Sequence, residues 1–303
     1  MYIGAITSFA SSLKTVISSI TEIRAYDMFY EDLDEYLSLP TKLREGKRKI
    51  SVNDDYTIEF KNVSFKYPGS EKFSLKDINI TIKSGTKLSI VGENGAGKTT
   101  FVKLLMRLYD PTEGEILFNG VNIKDIDYEL YMALFSTVFQ DYKLFALSLK
   151  ENVALSLPIN EMKVQQVLER VGLGEKLHKL PKGINTAVYK NFDETGFEPS
   201  GGEGQKIALA RALYKDAPIV VLDEPTAALD PRAEYEIYQK FNYLVEGKTA
   251  VYISHRLSST KFCDAIIVLN NGEIAEYGSH NELINKKNGL YKELFHMQAQ
   301  YYE

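Results

Sequence analysis

The chain is short of cysteine, of excess positive charge and of long apolar runs, and each shortage removes a class of function. Its 303 residues hold one cysteine, Cys263, which excludes an internal disulfide and a cysteine-built metal cluster and suits a reducing compartment. Lys and Arg number 36 against 41 Asp and Glu, a net charge of −5. A general nucleic-acid binder carries a basic footprint, so nucleic acid is not an expected partner. The amino-terminal stretch MYIGAITSFASSL stays uncharged only as far as Lys14, short of the roughly 20 apolar residues that cross a bilayer. By itself it is not expected to span, although it suits the inner end of a spanning helix. It also lacks a basic start and a small-residue cleavage site, so no signal peptide is expected. No internal repeat or low-complexity tract interrupts the sequence.

What is present describes an ordinary globular protein of one large or two medium domains, with 44% hydrophobic and 25% charged residues. Residues 1–39 carry Ile and Leu at spacings of three and four, and Pro40 closes the pattern; the spacing predicts one long helix. The charged stretch TKLREGKRKISVNDD then reads as a linker, placing a boundary near residue 50 and a second domain over 51–303. There YTIEFKNVSFKY and FSLKDINITIK alternate as half-buried strands, and KLSIV is a short apolar run typical of a buried one. The pattern turns mostly helical over about 140–213, and from APIVVLDE onward strands alternate with helices as in a parallel α/β core.

Three stretches carry chemistry. SIVGENGAGKTTFVKLL leaves a strand and opens a helix with Gly92, Gly95 and Gly97 ahead of Lys98 and Thr99, the context a phosphate loop requires. Backbone N–H groups wrap the phosphates there, the lysine reaches the β and γ oxygens and the threonine hydroxyl meets Mg²⁺. IVVLDEP sets Asp223 and Glu224 at the end of an apolar strand, where open α/β sheets bind ligands. Taken alone, such a pair is equally a helix cap or a solvated turn. Paired with the loop at Lys98, Asp223 is placed to hold Mg²⁺ through water and Glu224 to activate the attacking water. The third, PSGGEGQKIALARAL, begins a helix on nearly bare backbone. Ser200 there is either a helix cap or an oxyanion contact, since the first helical turn attracts anions.

Together these residues resemble the nucleotide-binding domain of ATP-binding cassette proteins over about residues 50–300. The resemblance implies an α/β P-loop NTPase cassette core, with a mixed RecA-like sheet, an antiparallel β-subdomain and a helical subdomain, preceded here by the long helix. It implies ATP and Mg²⁺ as cofactors, with ATP held by Tyr67, Gly92, Glu93, Asn94, Gly95, Ala96, Gly97, Lys98, Thr99 and Thr100. PSGGEGQ is similar to the family signature, so Ser200, Gly201, Gly202 and Glu203 are expected to cover the ATP of a second cassette packed head to tail. Tyr67 resembles the aromatic residue that stacks on adenine, although a Tyr ending a strand also serves plain packing. Gln140 in VFQD resembles the Gln that meets Mg²⁺ and water, joining Thr99 and Asp223 as metal contacts. Asp230 in AALD resembles the loop that speaks across the dimer, and His255 in ISHR the switch histidine at the γ-phosphate; Glu224, His255 and Gln140 are the expected catalytic set. Pro199, Glu203 and Ala227 depart from the usual residues, which leaves open whether the second cassette is identical or related.

LFALSLKENVAL, DETGFEPSGG with Glu194 and Gly196, and the amino-terminal helix running into TKLREG resemble exporter segments. The expectation is therefore an ATPase at the cytoplasmic face of the membrane, hydrolysing ATP to drive export through a transmembrane domain, with the isolated fragment soluble. The alternative is a soluble cassette ATPase acting on ribosomes or DNA; it predicts two cassettes in one chain or an inserted coiled coil. A phosphoryl-transfer kinase would leave Ser200 and His255 unexplained.

Overall fold

The computed structural model describes residues 2–39, 43, 46–51, 55–139, 141–223, 245, 247–253 and 257–300. Gln140, Glu224, Asp230 and His255 lie outside the described residues. The chain divides into two compact units, Met1–Arg44 and Glu45–Glu303.

The first unit is helix α1 (Tyr2–Leu37). Its large apolar side chains, Ile6, Phe9, Leu13, Ile17 and Ile20 among them, remain exposed. By length and composition α1 meets the requirement for a membrane-crossing helix. Counting only the uncharged run up to Lys14 set that requirement too strictly, because a long helix tolerates an isolated charged residue whose stem reaches toward water.

The second unit is built on two sheets. β1 (Thr57–Phe65), β2 (Leu75–Lys83), β4 (Glu113–Phe118) and β5 (Val121–Asn122) form an antiparallel sheet in the order β2-β1-β4-β5. Alternation in the sequence becomes alternation in burial: Ile58 and Phe60 of β1 point into the core while Thr57 and Glu59 do not. The other sheet runs β10-β9-β3-β8-β7-β6, from β3 (Lys87–Val91), β6 (Phe135–Val138), β7 (Ile219–Asp223), β8 (Thr249–Ile253), β9 (Ala265–Asn270) and β10 (Glu273–Gly278). Strands β9, β3, β8, β7 and β6 are parallel, and only β10 turns back on β9. The turn is Asn271-Gly272 at φ 49° and 83°, the residue pair that suits a two-residue hairpin. Parallel strands need both faces covered, and their nearly continuous apolar runs reflect that.

Helix α2 (Lys98–Leu105) buries Phe101, Val102, Leu104 and Leu105 against the two sheets, with Phe101 stacked on Phe60 at 4.5 Å. Short helix α3 (Tyr128–Ala133) leads into β6. A separate apolar cluster joins α4 (Leu149–Ala154), α5 (Glu161–Arg170), α6 (Gly174–Lys179) and α7 (Gly201–Lys215) to the β6–β8 side of the parallel sheet. At the carboxyl end, α8 (His280–Asn285) and α9 (Leu290–Gln300) cover Val91, Ile266 and Val268. The start of the unit is tied down by backbone: the Arg48 N–H donates to Asp125 O at 2.9 Å, and the buried Arg107 guanidinium holds Lys124 O and Ile126 O at 3.0 and 2.9 Å.

Candidate functional site

The site begins at the carboxyl edge of the parallel sheet. Register pairs Ile90 with Ile253, Ile253 with Asp223, and Leu222 with Val138, so β3, β8, β7 and β6 end side by side. Each then hands the chain to a residue singled out above: β3 to Gly92, β8 to His255 two residues on, β7 to Glu224, and β6 to Gln140 two residues on. Strands far apart in sequence thus end along one edge, the position at which open α/β sheets bind ligands.

The loop from β3 to α2 is shaped by glycine in two places where nothing else fits. Gly92 sits at φ 149°, and a Cβ on it would lie 2.3 Å from Leu269 O. Gly97 caps α2 at φ 105°, and its Cβ would meet Leu75 Cδ2 at 2.7 Å and Ser74 O at 2.8 Å. The Asn271-Gly272 turn supports the loop from below, with the Gly272 N–H donating to Ala96 O at 3.2 Å and the Lys76 N–H to Gly272 O at 2.8 Å. Lys98 folds back over the loop, its ammonium donating to Gly92 O and Glu93 O, both at 2.9 Å. Glu93, Asn94, Gly95 and Thr99 are exposed while Ala96, Lys98 and Thr100 are buried. The outward side of the loop therefore carries backbone N–H groups, the helix N-terminus and the residue that follows the lysine. This cradle fits a polyphosphate, since a Cβ at Gly92 or Gly97 would push the backbone out of its wrap.

Tyr67 follows β1. Its hydroxyl shares a hydrogen bond with Thr100 Oγ1 at 3.1 Å, and its ring meets Phe65 and Tyr109 edge-on at 5.0 and 5.3 Å. The ring is thus fixed directly to the helix of the phosphate loop, with Lys103 Nζ 5.6 Å from its centroid. Asp223 closes β7 with only 6% of its surface exposed, which suits a carboxylate meant for a cation rather than for water. The exposed Thr99 hydroxyl and the Asp223 carboxylate are the donor types a Mg²⁺ ion takes, hard oxygens.

Ser200 caps α7. The Glu203 N–H donates to Ser200 Oγ at 3.3 Å, and the Ser200 N–H to Glu203 Oε2 at 2.9 Å, a reciprocal capping box. In this geometry Ser200 acts as the helix cap: Oγ accepts the Glu203 N–H, and its hydroxyl helps hold the Glu203 carboxylate charged. The Gly204 N–H returns to Ser200 O at 2.8 Å, while Gly201 and Gly202, in the first turn, have no intrahelical acceptor and present their N–H groups outward. The Glu203 carboxylate also pairs with Lys176 at 3.1 Å. Burial raises its pKa, but the Ser200 N–H and Lys176 outweigh that and hold it below the ordinary value. Its charge is committed to the helix start, held by the Ser200 N–H and Lys176.

Sequence reasoning passed over a set of residues beside this helix. Tyr142, two positions after Gln140, donates its hydroxyl to Gly201 O at 2.9 Å. Arg211 of α7 donates to Lys143 O at 2.7 Å, to Asn152 O at 2.6 Å and to Asn152 Oδ1 at 3.0 Å. The buried Asn152 in turn exchanges hydrogen bonds with the N–H and C=O of Phe145, each at 2.9 Å. Tyr142, Phe145 and Arg211 border a cavity of about 760 Å³ between β6, the segment after it, the end of α4 and α7. Nothing local in the sequence marks Tyr142 and Arg211, because their partners lie 59 or more residues away along the chain.

Comparison with known proteins agrees with this arrangement. The sequence profile of the ABC transporter family matches residues 75–227. The subtilin transport ATP-binding protein SpaT of Bacillus subtilis is 38% identical over 97% of this chain and 48% of its own length. An ATP-dependent lipid A-core flippase of Burkholderia orbicola is 36% identical over 98% of this chain and 50% of its own. Among solved structures, a bacterial Atm1-family ABC exporter with ATP bound superposes with a TM-score of 0.83 at 32% identity, covering 91% of this chain and 48% of that one. The chain spans about half the length of the curated relatives it matches. With a family profile matched across half of its residues and a phosphate loop set at the edge of a parallel sheet, the chain belongs to the ABC transporter family.

Proposed function

We propose that residues 51–303 bind and hydrolyse ATP as the motor of an exporter-type transporter, and that residues 1–50 are the cytoplasmic end of a transmembrane helix with its linker. Two such cassettes pack head to tail at the cytoplasmic face of the membrane. The phosphate loop of each then faces the Ser200 helix start of the other. The observation that carries the reading is the pair of half-sites: a glycine-cradled loop with Lys98 laid over it, and a capped helix whose first N–H groups face outward without a lysine of their own.

In this mechanism Tyr67 stacks on adenine. The N–H groups of residues 92–99 wrap the phosphates, and Lys98 swings from the carbonyls of Gly92 and Glu93 to the β and γ oxygens. Thr99, Gln140 and Asp223 would hold a Mg²⁺ ion, which would neutralise phosphate charge when bound. Glu224 takes a proton from the water that attacks the γ-phosphorus, the bond to the β–γ bridging oxygen breaks, and ADP and phosphate leave. His255 donates to the γ-phosphate, while Ser200, Gly201 and Gly202 of the other cassette, with its Asp230 loop beside them, complete the enclosure. ATP binding closes the dimer and hydrolysis opens it, moving an attached membrane domain. The likeness to transport proteins, and to a solved exporter in particular, supports the direction of transport.

The test is the solution mass of Glu224→Gln by light scattering. With ATP and Mg²⁺ it is expected to shift from monomer to dimer. A mass that stays monomeric while ATP is bound refutes the two-cassette site between identical chains.

A further inference from the structure

Gly204 is out of place in α7. A glycine inside a helix costs about 1 kcal/mol relative to alanine, and the phosphate-facing residues of this helix end at its first turn. What Gly204 faces is Tyr142: a Cβ at position 204 would lie 2.7 Å from the Tyr142 hydroxyl, 3.2 Å from Cε2 and 3.4 Å from Cζ. The ring therefore lies on the helix where a side chain would otherwise stand, and its hydroxyl reaches the carbonyl of Gly201 at 2.9 Å. Gly201 immediately follows Ser200. The same segment, residues 141–147, is tied to α7 a second time by Arg211, whose guanidinium holds Lys143 O at 2.7 Å. Two attachments ten residues apart on one helix leave the segment and the helix no independent rotation.

We propose that Tyr142 is a positioning residue for the Ser200 helix start, linking it to the segment that follows Gln140. A change at Gln140, which belongs to a cassette's own nucleotide, then reaches the first turn of α7, which that cassette offers to the nucleotide of its partner. Gly204 is the counterpart that lets the ring seat. The inference rests on the reading above of Gln140 and Ser200 as contacts to two different ATP molecules. Tyr142 itself touches neither.

The test uses the 303-residue chain in the Glu224→Gln background and compares Tyr142→Phe, Gly204→Ala and the pair. Loss of one net hydrogen bond predicts ATP-dependent dimerisation weakened about threefold to tenfold in Tyr142→Phe. Affinity of the monomer for ATP should stay at the parent value, and its Tm should fall by no more than the few degrees that one intramolecular hydrogen bond is worth. Gly204→Ala lifts the hydroxyl from Gly201 and should weaken dimerisation to a similar degree. The double variant should be no weaker than the worse single one, because both act through one contact. Dimerisation unchanged in Tyr142→Phe, an equal loss of monomer ATP affinity, or additive losses in the pair each overturn the proposal. A parent that binds ATP and does not dimerise refutes the two-cassette site between identical chains instead, and with it the role assigned to Tyr142 in such a dimer.

Discussion

Alanine substitution along the phosphate loop separates two reasons for having glycine. At Gly97 the backbone lies at φ 105°, which costs an L-residue about 1–2 kcal/mol. The added methyl also meets Leu75 Cδ2 at 2.7 Å and Ser74 O at 2.8 Å. That carbonyl cannot retreat freely, because the Ser74 N–H is bonded to Phe65 O at 2.8 Å and Leu75 pairs with Phe65 in the β1–β2 ladder. Overpacking of this kind adds about 1–3 kcal/mol. Restricting the unfolded chain returns about 0.4–1 kcal/mol, leaving Gly97→Ala destabilised by about 2–4 kcal/mol. At Gly95, φ is 81° and no atom lies within 4 Å of the added methyl, so only the conformational cost remains, about 1 kcal/mol or less after the same offset. The difference of about 2 kcal/mol corresponds to about 4–8 °C in Tm for a unit of this size. Scanning calorimetry of the unliganded chain reads it directly, and Gly92→Ala, whose methyl would sit 2.3 Å from Leu269 O, should fall with Gly97→Ala. Equal melting of Gly95→Ala and Gly97→Ala, or a Gly97→Ala chain that melts with its parent, refutes the argument that packing and not φ alone demands glycine there.

Lys98→Ala should lower ATP turnover by on the order of a hundredfold or more, as expected for removing a preorganised charge at the reacting phosphate; turnover equal to the parent in a phosphate-release assay would remove the lysine from the mechanism. Glu276 is one contributor to acid stability. Its side chain is 5% exposed, and it accepts the N–H groups of Leu290 and Tyr291 at 3.1 and 3.0 Å and pairs with Lys286 at 3.1 Å, closing the start of α9. Burial raises its pKa, but the Tyr291 N–H, Lys286 and the Leu290 N–H together hold it below its ordinary 4.5. A carboxylate held low contributes stability that is fully present above the unfolded value and is lost as pH falls through the folded one. Glu276→Gln should therefore cost about 1.5–3 kcal/mol at neutral pH and show a shallower loss of stability below about pH 4.5 than the parent. Parallel acid profiles in urea titrations would show that Glu276 is not a contributor.

The parts that were legible in the sequence are those whose determinants sit within a few residues of one another. The phosphate loop is set by glycine and lysine spacing inside one turn, the helix cap by Ser200 just ahead of the helical run, and strands β1 to β3 by alternation or apolar runs. Local sterics and helix-end hydrogen bonding decide such features before any long-range contact exists. The long helix was legible for the same reason, although its fitness to cross a membrane depends on the whole of its length and not on its longest uncharged run.

Only tertiary structure decided what the glycines and the buried polar side chains are for. Gly95 and Gly204 look alike in sequence, yet one stands in open space at positive φ and the other is a seat for a tyrosine 62 positions away. Glu203 reads as a substituted signature residue until its carboxylate is seen between the Ser200 N–H and Lys176. Arg211 and Glu276 carry no local mark, because their partners are backbone groups that the fold alone brings near. The strand register that aligns the ends of β3, β8, β7 and β6 likewise has no local code. The sequence by itself determined which segments form the glycine-rich loop and begin a capped helix, since backbone dihedrals and near neighbours are enough for that. The tertiary structure determined how those segments are braced against one another, since a hydrogen bond between distant residues exists only once the core has brought both of its ends together.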